Sequence, residues 1–439
     1  MNFAEKVKSD LWTTIDEMAI NLAPYVCNPE RDFKRKKKWD FATVVKFMIS
    51  MESQSLKNEL HKYWGYSTDC PTNSSFNQRR SQILPSAFEY LFHQFTDSHS
   101  ESAKDFKGYR LIACDGSDIN IAYDDKDHST FFPATYNKNK GFNQLHLNAM
   151  YDLIGKIYVD AIIQPGRKEN EENDFCEMID KYSGDRKTIF IADRGYESYN
   201  SFAHAIENNV YFLIRGKDIT SNGIISGLKH LLPKTDEFDR TIKIILTPRR
   251  TNEIINNPQI YKSFYNKKCF DYTSSDDPYY KIALRIARFK IADNKYECVI
   301  TNLDSKEFSA RELKELYAKR WGIETSFREL KYAVGLSCFH SKKTDYILQE
   351  IWSRLILYNF CQIITMNVAI NKCTNKYTYQ LNFTFAIHVC RFFISKMAEY
   401  SPPDIEAIIS KELLPIRPGR HDPRKIVSKH AVSFLYRVA

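Results

Sequence analysis

The chain has 439 residues, which is enough to bury a large core and predicts more than one structural unit. Hydrophobic residues make up 43% and charged residues 27% of the sequence, as is ordinary for a soluble folded protein. The formal net charge of +9 favours polyanions as partners, although many basic proteins bind none.

The cysteines and the apolar stretches argue against two classes of protein. Ten cysteines occur singly, without a Cys-x-x-Cys pair, which disfavours a disulfide framework and a zinc site. The most apolar stretch, residues 351–370, contains Arg354 and Asn359, and is therefore predicted to be a core helix rather than a membrane span. The sequence opens without an apolar signal region. We expect a soluble, cytoplasmic protein with no membrane contacts.

The first hundred residues are predicted to be helical. Apolar positions recur at helical spacing through residues 39–51 and again through residues 86–95. Two basic features occur here, residues 31–38 (RDFKRKKK) and the pair Arg79-Arg80. Such runs are either solvated surface or, in a nucleic-acid enzyme, candidate phosphate contacts.

From about residue 108 the sequence pattern changes to short apolar runs bounded by turn residues. Five runs predict strands: residues 110–123, 145–154, 156–166, 187–195 and 211–217. Residues 173–182 and 198–209 predict the helices between the later strands. Three successive strands followed by alternating helices and strands indicate an α/β fold with a mixed sheet covered by helices.

The second half begins with a β-rich region and ends in helices. Three further strands are predicted at residues 240–250, 279–291 and 296–303, within a β-rich insertion spanning 221–307. A helix is predicted to begin near Ser309, whose spacing to Glu312 matches a capping box. The last portion reads as helical and ends in a basic, proline-punctuated tail.

Two aspartates follow apolar, strand-like runs. Asp115 closes the run from Leu111 to Cys114, and Asp193 follows a second run. Each has an ordinary interpretation, Asp115 as a turn residue and Asp193 as the cap of the next helix. Two strands of one domain that each deliver a carboxylate weaken that interpretation. Paired carboxylates offer the oxygen ligands that Mg²⁺ and Mn²⁺ prefer.

A third carboxylate, Glu324, lies in a long helical pattern at residues 310–336. At 100° per residue, four residues fall within an arc of about 60° on this helix. They are Tyr317, Arg320, Glu324 and Lys331. The stripe is either a functional surface or a solvent-facing one with an intrahelical ion pair between Arg320 and Glu324, which are four residues apart.

These motifs resemble the DDE transposases of bacterial insertion sequences, and more narrowly the insertion sequence four family. That family has a Tyr-x2-Arg-x3-Glu-x6-Lys signature, which residues 317–331 match without departure. The segments CDGSD (114–118) and ADRGYES (192–198) resemble its first two acidic motifs, and FNQRRSQ (76–82) resembles a further common segment. The similarity runs from about residue 30 to residue 360.

The resemblance implies a ribonuclease-H-like core in which Asp115, Asp193 and Glu324 are catalytic and hold two Mg²⁺ or Mn²⁺ ions. The ions would activate a water or a DNA 3′-hydroxyl and stabilise the departing oxygen. Residues expected to contact DNA are Tyr317, Arg320, Lys331, Arg194, Tyr296, Arg79 and Arg80.

Two of these assignments keep an alternative. Tyr296, the candidate aromatic wedge for a flipped base, is otherwise an ordinary strand tyrosine. Arg194 contacts DNA or simply orients Asp193.

The same resemblance implies a division of the chain. A helical DNA-binding region would span residues 1–105, and the catalytic core residues 106–220 and 308–372, interrupted by the insertion. Helices in residues 373–439 would support dimerisation and DNA contacts. The partners would be the terminal inverted repeats, target DNA and a second copy of the chain, with the protein associated with the nucleoid.

Three other functions are alternatives to transposition. A related nuclease would hydrolyse DNA without joining it, and carboxylates alone do not separate that enzyme from a transposase. A non-catalytic DNA-binding derivative is disfavoured by the intact acidic residues and helix signature. A metabolic enzyme finds no support, because the sequence has no Gly-x-Gly-x-x-Gly, Walker or Gly-x-Ser-x-Gly motif.

Overall fold

The computed structural model describes residues 2–35, 38–100, 105–134, 140–264, 270–369, 379–395 and 404–416, and the backbone of 435–436. The helices are α1 (Phe3–Ile20), α2 (Phe41–Ser50), α3 (Leu56–Tyr63), α4 (Asn73–Arg80), α5 (Pro85–Ser100), α6 (Glu171–Lys181), α7 (Tyr199–Glu207), α8 (Ile224–Gly227), α9 (Asn252–Asn256), α10 (Ala310–Ala318), α11 (Trp321–Arg328), α12 (Thr344–Asn367), α13 (Phe383–Ser395) and α14 (Ile405–Lys411). The strands are β1 (Arg110–Ile121), β2 (Phe131–Phe132), β3 (Phe142–Asp152), β4 (Tyr158–Pro165), β5 (Thr188–Ala192), β6 (Tyr211–Gly216), β7 (Phe238–Thr247), β8 (Tyr261–Ser263), β9 (Tyr280–Ala292), β10 (Lys295–Thr301), β11 (Cys338–Phe339), β12 (Tyr379–Leu381), β13 (Leu413–Pro415) and β14 (Leu435–Tyr436).

One mixed sheet organises the molecule. Its order is β2-β3-β1-β5-β6-β10-β9-β7-β8, and β4 also pairs with β3. β1, β5 and β6 are parallel neighbours, whereas β3 and β10 are antiparallel to the strands beside them. Every residue of β5 is buried, as expected for a central strand covered on both faces. The predicted α/β class with a mixed sheet is confirmed.

The strands of the predicted β-rich insertion extend this same sheet. β10 pairs with β6, β9 with β10, and β7 with β9, each antiparallel. The three predicted strands are therefore confirmed as β7, β9 and β10. They do not form a second sheet, because the hydrogen-bonding edge of β6 continues directly into β10.

The helical signature region is divided where a single long helix was predicted. Ser309 caps α10 with the predicted box, in which Glu312 accepts from the Ser309 backbone. The helix ends at Ala318, α11 begins at Trp321, and a π-helical turn follows at Glu329–Val334. A π-turn adds a residue per turn, so angles calculated at 100° per residue do not carry through to Lys331.

The N-terminal helices pack against α12, the central helix of the second half. Residues of α1, α2, α5, α12 and α13 share one hydrophobic cluster. Nearly the whole length of α12 is buried, which confirms a core helix at residues 351–367. Among the described helices, none has the length and apolar character needed to cross a bilayer.

Arg80 corrects one prediction for this region. Its side chain is 0% exposed, and its guanidinium donates to Gln349 at 2.8 Å and to Glu350 at 2.9 Å. Arg80 therefore joins α4 to α12 inside the protein. The prediction that it contacts a DNA phosphate is wrong for this structure, because the guanidinium is out of reach of solvent and already paired.

Arg79 and the neighbouring basic run lie closer to the surface. The Arg79 guanidinium lies 5.3 Å from the Phe33 ring and donates to Gln82 at 3.0 Å. Its side chain is half-buried, so a DNA contact by Arg79 stays a prediction. Residues 36 and 37 of the basic run, and residues 417–434 of the basic tail, lie outside the described part of the chain.

Candidate active site

The register of the parallel strands places the two predicted aspartates side by side. The pairing of β1 with β5 ends at Cys114 opposite Ala192, and Asp115 and Asp193 are the next residues. Neighbouring strands lie about 4.8 Å apart, so the two side chains start from adjacent backbone positions. Asp115 lies within β1, which continues to Ile121 beside β3 alone, so it is not a turn residue.

Strand alternation decides which way these side chains point. Cys114 and Ala192 pack into the hydrophobic cluster on one face of the sheet, while Leu111 and Ile191 pack against α10 on the other. Successive residues of a strand face opposite sides, so Asp115 and Asp193 point toward the side of α10 and α11. Asp193 also accepts from the Gly195 backbone at 2.7 Å, so it caps a short turn as well.

Arg320 connects the third carboxylate to this place. Its Nη1 donates to Asp115 Oδ2 at 3.2 Å, and its Nη2 donates to Glu324 Oε1 at 2.8 Å. The intrahelical ion pair of Arg320 with Glu324 therefore exists, but it is not a solvent-facing pair. Arg320 is only 6% exposed and holds carboxylates from β1 and α11 together. The structure thus brings Asp115, Asp193 and Glu324 to one end of the central strands.

The surroundings of Asp115 disfavour its ionised form. Burial raises the pKa of Asp115 to about 6, Arg320 opposes this shift, and the negative charges of Asp193 and Glu324 add to it. The site therefore carries more negative charge than Arg320 alone neutralises. A divalent cation would relieve that repulsion, and carboxylate oxygens are the ligands that Mg²⁺ and Mn²⁺ prefer.

The raised pKa predicts how the stability of the metal-free protein depends on pH. The contribution of Asp115 is fully present below the unfolded pKa near 4 and is lost as the pH rises through about 6. Asp115→Asn stays neutral, so we expect it to raise the free energy of unfolding by roughly 2 kcal/mol at pH 8. The gain in melting temperature, measured in EDTA, should shrink as the pH falls toward 4.5. A variant less stable than the wild type at pH 8 would contradict this account.

Lys331 and Tyr317, the other signature residues, differ in burial. Lys331 is half-buried, so its contact with DNA stays a prediction, whereas Tyr317 is buried. Lys331 donates through Nζ to the Asp118 carbonyl at 2.9 Å, and burial lowers its pKa. Tyr317 is buried against the sheet, with its ring 5.8 Å from the Arg320 guanidinium. The Tyr317 ring therefore packs near the Arg320 guanidinium inside the protein. The prediction that it touches a phosphate directly does not agree with its burial in this structure.

Tyr296 and Arg194 differ in their relation to the acidic cluster. Tyr296 packs beneath the Arg288 guanidinium at 4.0 Å. By alternation along β10 its ring lies on the same face as Cys298, which is opposite to Asp115. Tyr296 is half-buried, so its role as a base-flipping wedge stays a prediction. Arg194 directly follows Asp193 and is exposed, so its role at DNA stays a prediction.

A second acidic cluster was not predicted from the sequence. The His146 ring lies between three carboxylates, with Nδ1 3.1 Å from Asp118 and 3.2 Å from Glu169, and Nε2 3.2 Å from Glu171. Burial disfavours the protonated ring, but the hydrogen bond to Asp118 and the nearby carboxylate of Glu171 outweigh it and raise the pKa of His146 to about 9. Within CDGSD, the second aspartate was the one available signal.

This second cluster also has the composition of a metal site. Asp118, His146 and Glu169 offer ligand atoms that all lie within 4.8 Å of one another. A metal on the imidazole must displace the proton that the ring holds at neutral pH, because only neutral histidine binds metals. Two clusters of carboxylates therefore lie near this end of the central strands.

Comparisons with known proteins agree with this geometry. Residues 106–360, more than half of the chain, match the family described as the transposase DDE domain. The chain belongs to this family. A curated relative, transposase InsG for insertion sequence element IS4 of Escherichia coli, is 21% identical over 268 residues. The resemblance to insertion sequence four transposases is therefore confirmed.

The extent of these similarities differs. The alignment with the InsG transposase covers 60% of this chain and 53% of that protein, so the chain spans about half the length of its curated relative. Among solved structures, the chain is similar to a piggyBac transposase synaptic complex with hairpin DNA, with a TM-score of 0.46 at 10% identity. That likeness covers 95% of this chain and 84% of the other. Membership of the DDE family rests on the sequence matches.

Proposed function

We propose that this chain is a transposase that binds the ends of an insertion sequence, cleaves DNA phosphodiesters and joins the ends to target DNA. The observation that carries the proposal is that buried Arg320 joins Asp115 to Glu324, while Asp193 lies beside Asp115 at the end of the neighbouring strand. These residues come from two strands and one helix that are far apart in sequence. Their convergence in a member of the DDE family supports catalytic roles for all three.

The sheet supports a ribonuclease-H-like core. Five of its six strands between residues 110 and 216 are arranged as β4-β3-β1-β5-β6, with three antiparallel strands followed by two parallel ones. We propose that residues 106–220 and 308–372 form this core, with residues 221–307 as an extension of its sheet. Residues 1–105 would bind DNA, and residues 373–439 would support pairing of two copies of the chain when two DNA ends are held together.

The three carboxylates suit two Mg²⁺ or Mn²⁺ ions. Bound there, such ions would activate the attacking water or 3′-hydroxyl and stabilise the departing oxygen. The residues of the chain prepare the site for this chemistry. Arg320 keeps Asp115 and Glu324 at a fixed separation by holding an oxygen of each. Its position beside the cluster also places a cation next to an incoming phosphate.

Aromatic side chains beside the signature residues offer a surface for unpaired bases. Trp321 directly follows Arg320 and is 51% exposed, and Tyr332 directly follows Lys331 and is 77% exposed. The Arg320 guanidinium lies 5.5 Å from the Trp321 ring. Exposed rings next to a cation can stack on bases that leave the duplex. We propose Trp321 as a second candidate, besides Tyr296, for the aromatic side chain that holds a flipped base.

A strand-transfer assay tests the proposal. A DNA fragment that carries the element end and its flank is labelled at the 5′ end of the strand to be transferred and incubated with the protein, Mg²⁺ and a supercoiled target plasmid. A transposase converts the label into plasmid-joined products. Hydrolysis without joining would favour the nuclease alternative, and binding without cleavage would favour the non-catalytic derivative. Either outcome would contradict the proposed function.

A further inference from the structure

The carboxylate of Glu171 lies between two backbone segments, the one that follows Asp115 and the one that follows Asp193. Glu171 is the first residue of α6. A Cβ atom placed on Gly116 would stand 2.2 Å from Glu171 Oε1, and one placed on Gly195 would stand 3.0 Å from Glu171 Oε2. Glycine at both positions therefore makes room for this carboxylate. One oxygen faces the segment after Asp115 and the other faces the segment after Asp193.

Glu171 also lies close to the Asp193 carboxylate itself. Asp193 Oδ1 stands 3.0 Å from the same Cβ position at Gly195 that Glu171 Oε2 approaches to 3.0 Å. The two oxygens are therefore no more than about 6 Å apart. Mg²⁺ binds oxygen at about 2.1 Å, so two oxygens on one ion are at most about 4.2 Å apart, and a closure of no more than about 2 Å would let both carboxylates share an ion.

The buried His146 ring gives Glu171 a fixed neighbour. The side chain of His146 is 6% exposed, and its Nε2 points at Glu171 Oε1 from 3.2 Å. Within the described residues this Nε2 makes no hydrogen bond of good geometry, while Nδ1 is held by Asp118 at 3.1 Å. His146 also lies beside Gly116, because a Cβ there would stand 2.4 Å from Nε2. The ring thus keeps Glu171 turned toward the two glycines.

The helix dipole explains why an acidic residue begins α6, but it does not explain the two glycines beside the Glu171 carboxylate. Acidic residues in a first helical turn interact favourably with the helix dipole, and α6 has Glu171, Glu172 and Asp174 there. The dipole accounts for the charge of all three. It does not account for glycines on two separate elements opposite the oxygens of Glu171.

We propose that Glu171 is a fourth acidic residue of the active site and binds the same divalent cation as Asp193. This inference rests on the proposed function, since it assigns Glu171 to the same cation site. The site would then hold its ions with carboxylates from β1, the β5 end, α6 and α11.

Titration of the metal-free protein with Mn²⁺ by calorimetry tests the inference. Glu171→Gln keeps the shape of the side chain and should weaken Mn²⁺ binding at least about tenfold. The control is Glu177→Gln, an exposed glutamate of the same helix that pairs with Lys181 at 2.6 Å and should stay within twofold of the wild type. Melting temperatures of both variants show that each is folded.

Asp193→Asn separates failure of the inference from failure of the proposed function. If Asp193→Asn weakens Mn²⁺ binding and Glu171→Gln does not, Glu171 is no ligand and the transposase proposal stands. If neither change affects Mn²⁺ binding, the cation site of the proposed function is itself wrong. If only Glu171→Gln has an effect, the two residues do not share an ion, which also overturns the inference.

A second measurement needs no variant. Fe²⁺ replaces Mg²⁺ in the wild-type protein, and ascorbate with peroxide generates radicals that cut the backbone near the bound ion. We expect fragments that end near residues 115–116, 193–195 and 169–172. Cuts at the first two places without a cut at 169–172 would overturn the assignment of Glu171.

Discussion

Asp115→Asn should lower the rate of DNA strand cleavage at least about a thousandfold, while binding of DNA ends stays within about threefold. A bound divalent ion contributes several kcal/mol to stabilising charge in the transition state, and about 4 kcal/mol corresponds to a thousandfold in rate. Asp115 is the first residue of β1 beyond its pairing with β5, and its carboxylate accepts a hydrogen bond from Arg320. An amide in its place keeps the shape and removes the charge that holds the cation.

The measurement is single-turnover cleavage of a labelled DNA end in Mg²⁺, with binding followed separately in Ca²⁺ or EDTA. Asp125→Asn is the matched control, because this aspartate is exposed in the segment that follows β1. It should cleave at the wild-type rate. Normal cleavage by Asp115→Asn would refute the catalytic assignment, and loss of binding in that variant would mean that the site was misfolded rather than inactivated.

The same substitution should raise the stability of the metal-free protein while it lowers the rate of DNA cleavage. Asp115→Asn is expected to stabilise the metal-free protein at pH 8, because burial and the charges of Asp193 and Glu324 disfavour the ionised form. Carboxylates that repel one another in the metal-free protein would be stabilised by a bound cation. Gain of stability with loss of cleavage would therefore be a signature of a cation site, whereas a structural aspartate would lose both.

The strands and the first two acidic residues could be predicted because local patterns determine them. Apolar runs gave β1, β5 and β6, and a carboxylate after such a run lies at the end of a parallel pairing, as Asp115 and Asp193 do. The catalytic role of Glu324 could be predicted from its spacing to the other signature residues, and not from the helical pattern around it. Its contact with the strands depends on Arg320, whose second partner is 205 residues away.

Other features could not be predicted because they depend on long-range packing. The face on which Tyr296 lies follows from how β10 pairs with β6 and β9, which periodicity alone does not specify. The π-helical turn at Glu329–Val334 has no periodic signal. His146 and Glu171 meet only because β3 and α6 converge beside Gly116, so neither stood out in the sequence.

Arg80 shows most plainly how a sequence pattern misleads. Two adjacent arginines in FNQRRSQ indicate a basic surface, yet they lie on different sides of the end of α4. Arg80 is buried against α12 and Arg79 is half-exposed. Glu350 accepts from Arg80 at 2.9 Å and from the His340 ring at 3.1 Å, and all three side chains are buried. The pair thus links the N-terminal helices to the second half of the chain.

Arg80→Met should destabilise the protein by about 3 to 5 kcal/mol, because it leaves the charge of Glu350 buried with one partner fewer. Burial works against the ionised form of Glu350, but Arg80 and then His340 outweigh it and lower the pKa to about 2. This depressed pKa contributes stability above the unfolded pKa near 4, which is lost as the pH falls toward 2. The wild-type advantage over Arg80→Met should therefore shrink in acid.

Urea unfolding followed by circular dichroism measures the effect, with Arg79→Met as the control that should cost less than about 1 kcal/mol. Replacing Arg80 by Met and Glu350 by Leu together should cost less than the sum of the single changes, because neither charge is then left alone. The fraction of Arg80→Met that remains folded should bind DNA ends with an unchanged salt dependence, since a buried guanidinium releases no counterions from a phosphate. Full stability with a reduced salt slope would instead place Arg80 on the DNA, and the link between α4 and α12 would have to be made by other residues.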